Sequence, residues 1–302
     1  MKARVLPAIA GLMVLAACST PDSSTSPVPN EPSYSQNPND EIQNDPKVHV
    51  HPAKGHARPG SGGVQLLQYH GGAIMTSSVV QAIFWGPSWS NTAFKGDKIS
   101  GLGTFYNGIG GTSYMKTNIE YTGTNGTVGT AVSYNGSTTD LSAPPKGSPK
   151  TSDILAEVCR QVSKPVANGY YPVYVDTPRG HAGYCAWHSY GTCSGVPVQI
   201  AFFFNLDNDA GCDPESPSSA GHSQGLAALA NVSGHELSEA VTDPRNGGWW
   251  DASGAENSDK CAWTYGRNLV SFGSSSWKIQ GNWSNKAYGT RSGYDGSGCI
   301  SG

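Results

Sequence analysis

The sequence is poor in charge, and this scarcity excludes several classes of protein. Asp, Glu, Lys and Arg make up only 14% of the 302 residues, and the formal net charge is −3. A nucleic-acid binder needs a basic surface, so we expect no nucleic acid among the partners. The 39 glycines follow no three-residue period, which excludes a collagen helix. With 37% hydrophobic residues, the chain can form one large domain or two small ones.

The first apolar stretch, residues 5–15, is too short to span a membrane by itself. It follows two basic residues and leads into LAAC, residues 15–18. This is the layout of an export signal, and LAAC resembles a bacterial lipobox. We therefore predict a lipoprotein signal peptide over residues 1–17 and a lipid on Cys18. The lipid would anchor an exported bacterial lipoprotein at the outer membrane or the cell surface.

Residues 19–63 lack any apolar periodicity and contain eight of the twenty prolines. This composition predicts a disordered tether that begins at the lipidated cysteine and covers residues 18–63. Within it, His49, His51 and His56 could bind a metal weakly. A solvated linker with incidental histidines is the favoured interpretation, so we assign these residues no function.

The chain also lacks the paired Cys-x-x-Cys motifs of a four-cysteine zinc site. Apart from Cys18 it has an even number of cysteines, which in an oxidising compartment predicts three disulfides. Cys185 and Cys193 are close enough in sequence to close a small loop, and spacing does not select the other pairings. The six candidates are Cys159, Cys185, Cys193, Cys212, Cys261 and Cys299.

No internal repeat or linker divides residues 64–302, so we predict one domain there. Short aromatic and β-branched runs such as VVQAIFWG, YYPVYVD and VPVQIAFFFNL predict strands. Apolar spacing predicts helices over 91–106, 152–162 and 221–243, whereas 136–150 is typical of a polar loop. The expected class is α+β: a mixed sheet, a buried helix, and a loop-rich, disulfide-stapled C-terminal part with short antiparallel strands.

The helix predicted at 221–243 carries the sequence HELSE, residues 235–239. Positions four apart lie on one helix face, so His235 and Glu239 can reach the same metal ion. Glu236 is offset and can face a bound water as a general base. This is the geometry of the HExxH zinc hydrolases, with a glutamate in place of the second histidine. An ion-paired helix without a metal remains an alternative.

A second acidic segment, WWDASGAENSDKCAW, follows the helix and offers the missing ligand. Glu256 and Asp259 are three residues apart and share a face if this segment forms a helical turn. Catalytic zinc usually has three protein ligands, so His235, Glu239, Glu256 and Asp259 are the candidate set. A set this rich in carboxylates makes calcium or manganese a competitor of zinc.

GHELSEAVTDPRNGGWWDASGAENSDKCAW resembles a segment of the plant Exordium proteins, also called phosphate-induced proteins, and of their bacterial relatives. YHGGAIMT, SYMKTNIEYTG, YCAWHSYG and WKIQGNWSNKAYG resemble further segments of this family, so the similarity covers about residues 64–290. The family is extracellular and associated with the plant cell wall. Its motifs are similar to those of zincin metallopeptidases, and the resemblance therefore implies a zincin-like domain. Asp251 has no consistent counterpart in the family and is not taken as a ligand.

His188 lies in YCAWHSYG, which resembles the family's CGFH segment. It could stabilise an oxyanion or supply another metal ligand. A structural histidine in a loop next to a disulfide is the competing interpretation. We include His188 with Glu236 as a candidate catalytic residue.

These observations favour an anchored zinc metallohydrolase, a peptidase in the first instance. The alternative is a non-catalytic extracellular binding module whose metal site is structural and whose Trp- and Tyr-rich surface recognises a glycan or a protein. The expected partners are the membrane, through the lipid anchor, and a peptide, a protein or a cell-wall glycan.

Overall fold

The computed structural model describes Ile42 and residues 45–56, 65–215 and 221–302, with the exception of the side chain of Asp295. All of them belong to one unit, Gln36–Gly302. The predicted signal peptide, Cys18 and most of the predicted tether lie outside these residues. No helix in the described ranges has the length and apolar character needed to cross a membrane.

Most of the described chain forms short strands and a few helices. The strands are β1 (His49–Pro52), β2 (Gln68–Tyr69), β3 (Ser78–Trp85), β4 (Thr122–Gly123), β5 (Gly126–Thr127), β6 (Val132–Asp140), β7 (Gly169–Pro178), β8 (Tyr184–Cys193), β9 (Val196–Asn205), β10 (Trp249–Trp250), β11 (Val270–Phe272), β12 (Ser275–Trp277), β13 (Asn282–Trp283) and β14 (Cys299–Ile300). The α-helices are α1 (Thr92–Lys95), α2 (Lys98–Ile109), α3 (Ser113–Lys116), α4 (Thr151–Gln161), α5 (Gln224–Thr242) and α6 (Asn285–Gly289). Three 3₁₀ turns complete the set at Pro87–Ser90, Asp259–Cys261 and Tyr294–Gly296.

Six strands form one mixed sheet in the order β1-β8-β9-β7-β3-β6. Strands β6, β3, β7 and β9 are parallel neighbours, whereas β8 is antiparallel to both β9 and β1. Central strands of such a sheet are covered on both faces, which explains the continuous apolar runs of β7 and β9. The predicted mixed sheet is confirmed, and the architecture is mixed α/β.

Helices cover both faces of the sheet, as strand β8 shows. His188 on β8 faces α5, where its Nε2 lies 3.5 Å from an oxygen of Glu239. Gly191 lies against Leu155 of α4, and Cys193 is bonded to Cys159 of the same helix. Residues an odd number of positions apart point to opposite faces of a strand. Helices α5 and α4 therefore pack on opposite faces.

Helix α5 begins after Ser223, whose hydroxyl accepts a hydrogen bond from the Leu226 amide. It ends at Thr242, two residues before Pro244, because the residue preceding a proline is disfavoured in a helix. All its residues from Gly225 onward are buried. The prediction of a buried helix carrying HELSE is confirmed.

The boundaries of two other elements differ from the prediction. The helix expected over 91–106 is divided into α1 and α2 at Gly96, whose φ of 49° is a left-handed conformation that glycine adopts easily. The loop expected over 136–150 is partly wrong, because β6 continues to Asp140. This strand is the polar edge of the sheet, and its side chains alternate between half-buried and exposed positions.

Residues 49–52 were expected in the disordered tether, and for these residues the prediction is wrong. They form β1, the other edge of the main sheet, with His49 opposite His188 and Val50 opposite Trp187. A four-residue polar strand has little local signal, because it is stabilised by pairing with a strand far away in the sequence. The chain just before the domain is therefore part of the sheet.

Three disulfides join Cys159 to Cys193, Cys185 to Cys212 and Cys261 to Cys299. Three bridges from six cysteines were expected, but the suggested Cys185–Cys193 loop is wrong. Both residues lie on β8, eight positions apart, and an extended strand separates them by about 27 Å. In the C-terminal part, β11 pairs with β12 and β13 pairs with β14, so the predicted short antiparallel strands are confirmed.

Candidate metal centre

Three parts of the chain meet beside the edge of the sheet where β1 and β8 lie. Helix α5 supplies the HELSE residues, β8 supplies His188, and the segment 256–259 supplies two carboxylates. Strand β1 adds His49. The structure therefore brings together all six candidate metal and catalytic residues named from the sequence, and adds His49, to which the sequence analysis assigned no function.

The first ligand group contains His235, Glu239 and Asp259. His235 Nε2 lies 3.0 Å from Glu239 Oε1 and 3.7 Å from Asp259 Oδ1. The first distance follows from the helix, because residues four apart are one turn apart on the same face. All three side chains are at most 3% exposed.

Two backbone amides organise the segment after β10: one bonds to the helix and the other closes a turn within the segment. The amide of Asp259 donates to Glu239 Oε1 over 2.9 Å, and the amide of Glu256 donates to Asp259 Oδ2 over 3.1 Å. The second bond closes a turn, which leaves Asp259 Oδ1 facing His235. The Glu256 carboxylate instead faces His49 and His188.

The second ligand group contains Glu256, His188 and His49. Glu256 Oε2 lies 2.9 Å from His188 Nε2 and 2.9 Å from His49 Nδ1. Glu256 is therefore separated from His235, although the sequence placed both in one ligand set. A third group, made by His188, Glu236 and Glu239, lies between the other two, with ligand atoms within 4.8 Å of one another.

Glu236 is buried, and neither of its carboxylate oxygens has a hydrogen-bond partner. Burial, followed by the negative charge of Glu239, raises the pKa of Glu236 well above its usual range. Glu239 Oε2 and Glu256 Oε1 are also buried without a hydrogen-bond partner. A buried, unpaired carboxylate costs several kcal/mol, so it becomes protonated or is matched by a cation.

The other two glutamates have histidine neighbours that reverse the effect of burial. Burial alone raises the pKa of Glu239, but His235 and His188 outweigh it and hold this pKa well below its usual range. His49 and His188 likewise outweigh burial and lower the pKa of Glu256. For His188, burial lowers the pKa, but Glu256 and Glu239 outweigh burial and raise this pKa well above its usual range. The cluster therefore favours positive charge next to both glutamates.

Gln280 connects the rings of His51 and His235 behind the ligand groups. Its amide nitrogen donates to the carbonyl of Ser258 over 2.9 Å and lies 2.8 Å from His235 Nδ1. Its oxygen accepts from the amide of Trp263 and lies 3.1 Å from His51 Nε2. In this orientation the proton of a neutral His235 is on Nε2. Metal ligation by Nε2 requires the reverse orientation, in which Gln280 accepts a hydrogen bond from Nδ1.

The donor set fits a divalent cation. Tetrahedral zinc bonds to nitrogen and oxygen of about 2.0–2.2 Å place neighbouring ligand atoms roughly 3.3–3.6 Å apart, and the pairs in this site, separated by 2.9–3.7 Å, lie on either side of that range. His235 Nε2 is 3.0 Å from Glu239 Oε1, although the two atoms are not aligned for a hydrogen bond. Nitrogen and oxygen donors without sulfur suit zinc or manganese.

Sequence reasoning missed His49 and misjudged His188. His188 was weighed as a loop residue, but it lies on β8 in the main sheet. His49 and His51 were treated as incidental, yet both are buried in β1, whose residues alternate between buried and half-buried. The His-x-His spacing was the available signal, because residues two apart share one face of a strand.

Comparison of the chain with models of protein families, with curated proteins and with solved structures gives no match. The resemblance to Exordium proteins and the zincin-like fold therefore stay predictions. The functional interpretation depends on the geometry of the metal centre itself.

Proposed function

We propose that the domain is a metal-dependent hydrolase of the cell exterior, acting on peptide bonds, with its centre on the HExxE helix. The observation that carries this proposal is the unpaired carboxylate of Glu236, buried beside the ligand groups. A structural metal site needs only ligands. A hydrolase needs, in addition, a base close to the ion that is not consumed as a ligand.

His235, Glu239 and Asp259 hold the ion in this proposal, and zinc is the first candidate. An ion held there would act as a Lewis acid that acidifies water and polarises the substrate carbonyl. Glu236 accepts the proton of the attacking water, since its carboxylate lies beside the ligand groups and neither oxygen is occupied by a hydrogen bond. His188, beside Glu239 on the side away from His235, remains a candidate catalytic residue.

The same proposal places the enzyme outside the cytoplasm, tethered through a lipid on Cys18. The three disulfides support the location outside the cytoplasm, because such bonds persist in oxidising compartments. The lipid would hold the domain at the outer membrane or the cell surface, where peptides, proteins or cell-wall glycans are available as substrates or partners.

The test compares the full chain with its Glu236→Gln variant on a broad peptide library, with cleavage followed by mass spectrometry. We expect the variant to keep its metal and to lose cleavage by at least about 100-fold, the contribution typical of a general base. Glu157→Gln is the matched control, because Glu157 is equally buried but lies on α4. Equal cleavage by wild type and Glu236→Gln contradicts catalysis at this site, and protein without metal contradicts the centre itself.

One observation favours a second function, a structural metal site in a binding module. Glu236, Glu239 and Glu256 are 0% exposed, so a substrate has no direct access to them. If the full chain holds its metal, cleaves nothing in the library and loses stability on chelation, the structural interpretation is the correct one. The partner is then a glycan or a protein bound elsewhere on the surface.

A further inference from the structure

The proposed ion at His235, Glu239 and Asp259 leaves a second set of ligand atoms unexplained. His49 and His188 face Glu256, each at 2.9 Å from the same carboxylate oxygen. The two histidines are opposite each other on the paired strands β1 and β8, with their rings stacked at 5.2 Å. Strand pairing therefore holds two imidazoles in place next to a buried carboxylate.

Glu239 lies between the two sets and has one oxygen in each. Its Oε1 is 3.0 Å from His235 Nε2, and its Oε2 is 3.5 Å from His188 Nε2. Oε2 is buried and has no hydrogen-bond partner. A carboxylate whose two oxygens face two different sets of ligand atoms has the arrangement of a bridging ligand.

The charge of the cluster also favours two ions. Glu236, Glu239, Glu256 and Asp259 together carry four negative charges when ionised, and histidines are neutral when they bind a metal. One divalent cation leaves at least one negative charge uncompensated in a buried site, even with Glu236 protonated, which is costly; two cations match all four carboxylates when Glu236 is ionised. Within the described residues, the ion pairs of Glu239 and Glu256 all involve histidine and none involves Lys or Arg.

We propose that the centre holds two divalent cations: one bound by His235, Glu239 and Asp259, the other by His49, His188 and Glu256, with Glu239 bridging them. The inference rests on the metal centre of the proposed function and extends it. A second cation beside the first would help to acidify the attacking water and to polarise the carbonyl of the peptide bond. The ligand His49 comes from the segment that precedes the domain, so the second site is complete only when β1 is in place.

The test is the metal content of the full chain, purified without affinity tag or chelator, saturated with zinc and then freed of excess metal by gel filtration. We expect two zinc ions per chain for the wild type and one for His49→Ala. Val50→Ala is the matched control, because it shortens a side chain of the same strand that is not part of the ligand groups, and it should retain two ions.

Competition titrations with a zinc-binding dye give a second readout. The wild type should show two binding steps and His49→Ala one step, of unchanged affinity within about threefold. One ion in both the wild type and His49→Ala overturns the two-cation inference but leaves the proposed centre intact. Loss of both ions from His49→Ala, with two retained by Val50→Ala, overturns the assignment of separate ligand sets. Absence of zinc from the wild type overturns the centre and the inference together.

Discussion

Helix α5 is buried along its length, but its polar side chains meet two different environments. On one side, Ser233 bonds to the Tyr174 hydroxyl over 2.7 Å, which in turn bonds to Tyr106 over 2.8 Å. Ser238 accepts from Asn282, whose amide also bonds to Thr117. On the other side are the charged residues of HELSE, and several of their atoms have no hydrogen-bond partner.

The difference shows what each side needs in order to remain buried. A buried polar group is tolerated when its hydrogen bonds are made within the protein. The hydroxyl and amide network satisfies this by itself and contributes to stability under all conditions. The carboxylate side does not meet this condition, because the negative charge of its carboxylates exceeds the positive charge that the neighbouring histidines provide. We infer that the first region is stable without a ligand and that the second depends on a cation.

The largest expected effect is that of metal removal. At a free zinc concentration about a thousandfold above Kd, binding stabilises the native state by about 4 kcal/mol, which for a domain of this size corresponds to roughly 10 °C in Tm. Calorimetry of the full chain before and after dialysis against a chelator measures the shift. Restored zinc should reverse it. An unchanged Tm for protein shown to have lost its metal contradicts the dependence of this region on a cation.

The next effect concerns the neutral side of the helix. Asn282→Ala removes the donor to Ser238 and Thr117 and the acceptor for Ser258 and Tyr114, so four buried groups lose a partner. We expect a loss of about 3 kcal/mol in the free energy of unfolding, measured by urea denaturation. Metal content should stay unchanged. Asn107→Ala, on an exposed position of α2, is the control and should cost less than about 1 kcal/mol.

If Asn282→Ala also abolished metal binding, the two sides of α5 would not be independent. The geometry makes this result unexpected, because the bonds of Asn282 are to hydroxyl groups and none of them is to an atom of the two ligand groups.

The charged side of α5 was predictable from the sequence, because its information is local. The spacing of His235 and Glu239 is fixed by the helix period, and the capping Ser223 and the following Pro244 mark its ends. Glu256 and Asp259 were found from the second acidic segment and the resemblance. Their division between two ligand groups was not predictable, because it depends on the turn closed by the Asp259 carboxylate.

The part of the site contributed by β1 and Gln280 was not predictable, for a different reason. His49 reaches the site through pairing with β8, which is 139 positions away at His188. Gln280 reaches His235 from a loop between short strands. Such contacts depend on tertiary packing. Gln280 has no neighbouring motif, and the His-x-His spacing at His49 indicates a shared strand face but not the strand with which β1 pairs. The composition around β1, rich in proline and polar residues, pointed towards disorder.

Glu236→Gln should change stability less than Asn282→Ala does, and in the opposite direction. In metal-free protein the substitution replaces an unpaired buried carboxyl group with a neutral amide of the same size. We expect the metal-free variant to be about 1–2 kcal/mol more stable than metal-free wild type. Denaturation with chelator present measures this difference. A less stable variant would mean that Glu236 is already compensated within the protein, and the proposed need for a cation there would be wrong.

The smallest effect concerns Asp251, a buried acid that, unlike Glu236, has all its partners. Its Oδ2 accepts from Lys260 Nζ over 2.8 Å, and its Oδ1 accepts from the amides of Ser253 and Ala255. Burial raises the pKa of Asp251, but the bonds from Lys260 and Ser253 outweigh it and lower this pKa below its usual range.

Because the folded-state pKa of Asp251 is depressed, its contribution to stability is complete above the unfolded pKa of about 4 and is lost as the pH falls through the folded value. Asp251→Asn should therefore lower the free energy of unfolding at pH 7 by no more than about 1 kcal/mol, since part of the interaction is screened by solvent. The gap between variant and wild type should narrow when the pH is lowered through the depressed pKa of Asp251. A gap that stays the same as the pH is lowered would show that the Lys260 ion pair contributes nothing. The contrast between paired and unpaired acids would then rest on hydrogen bonds alone.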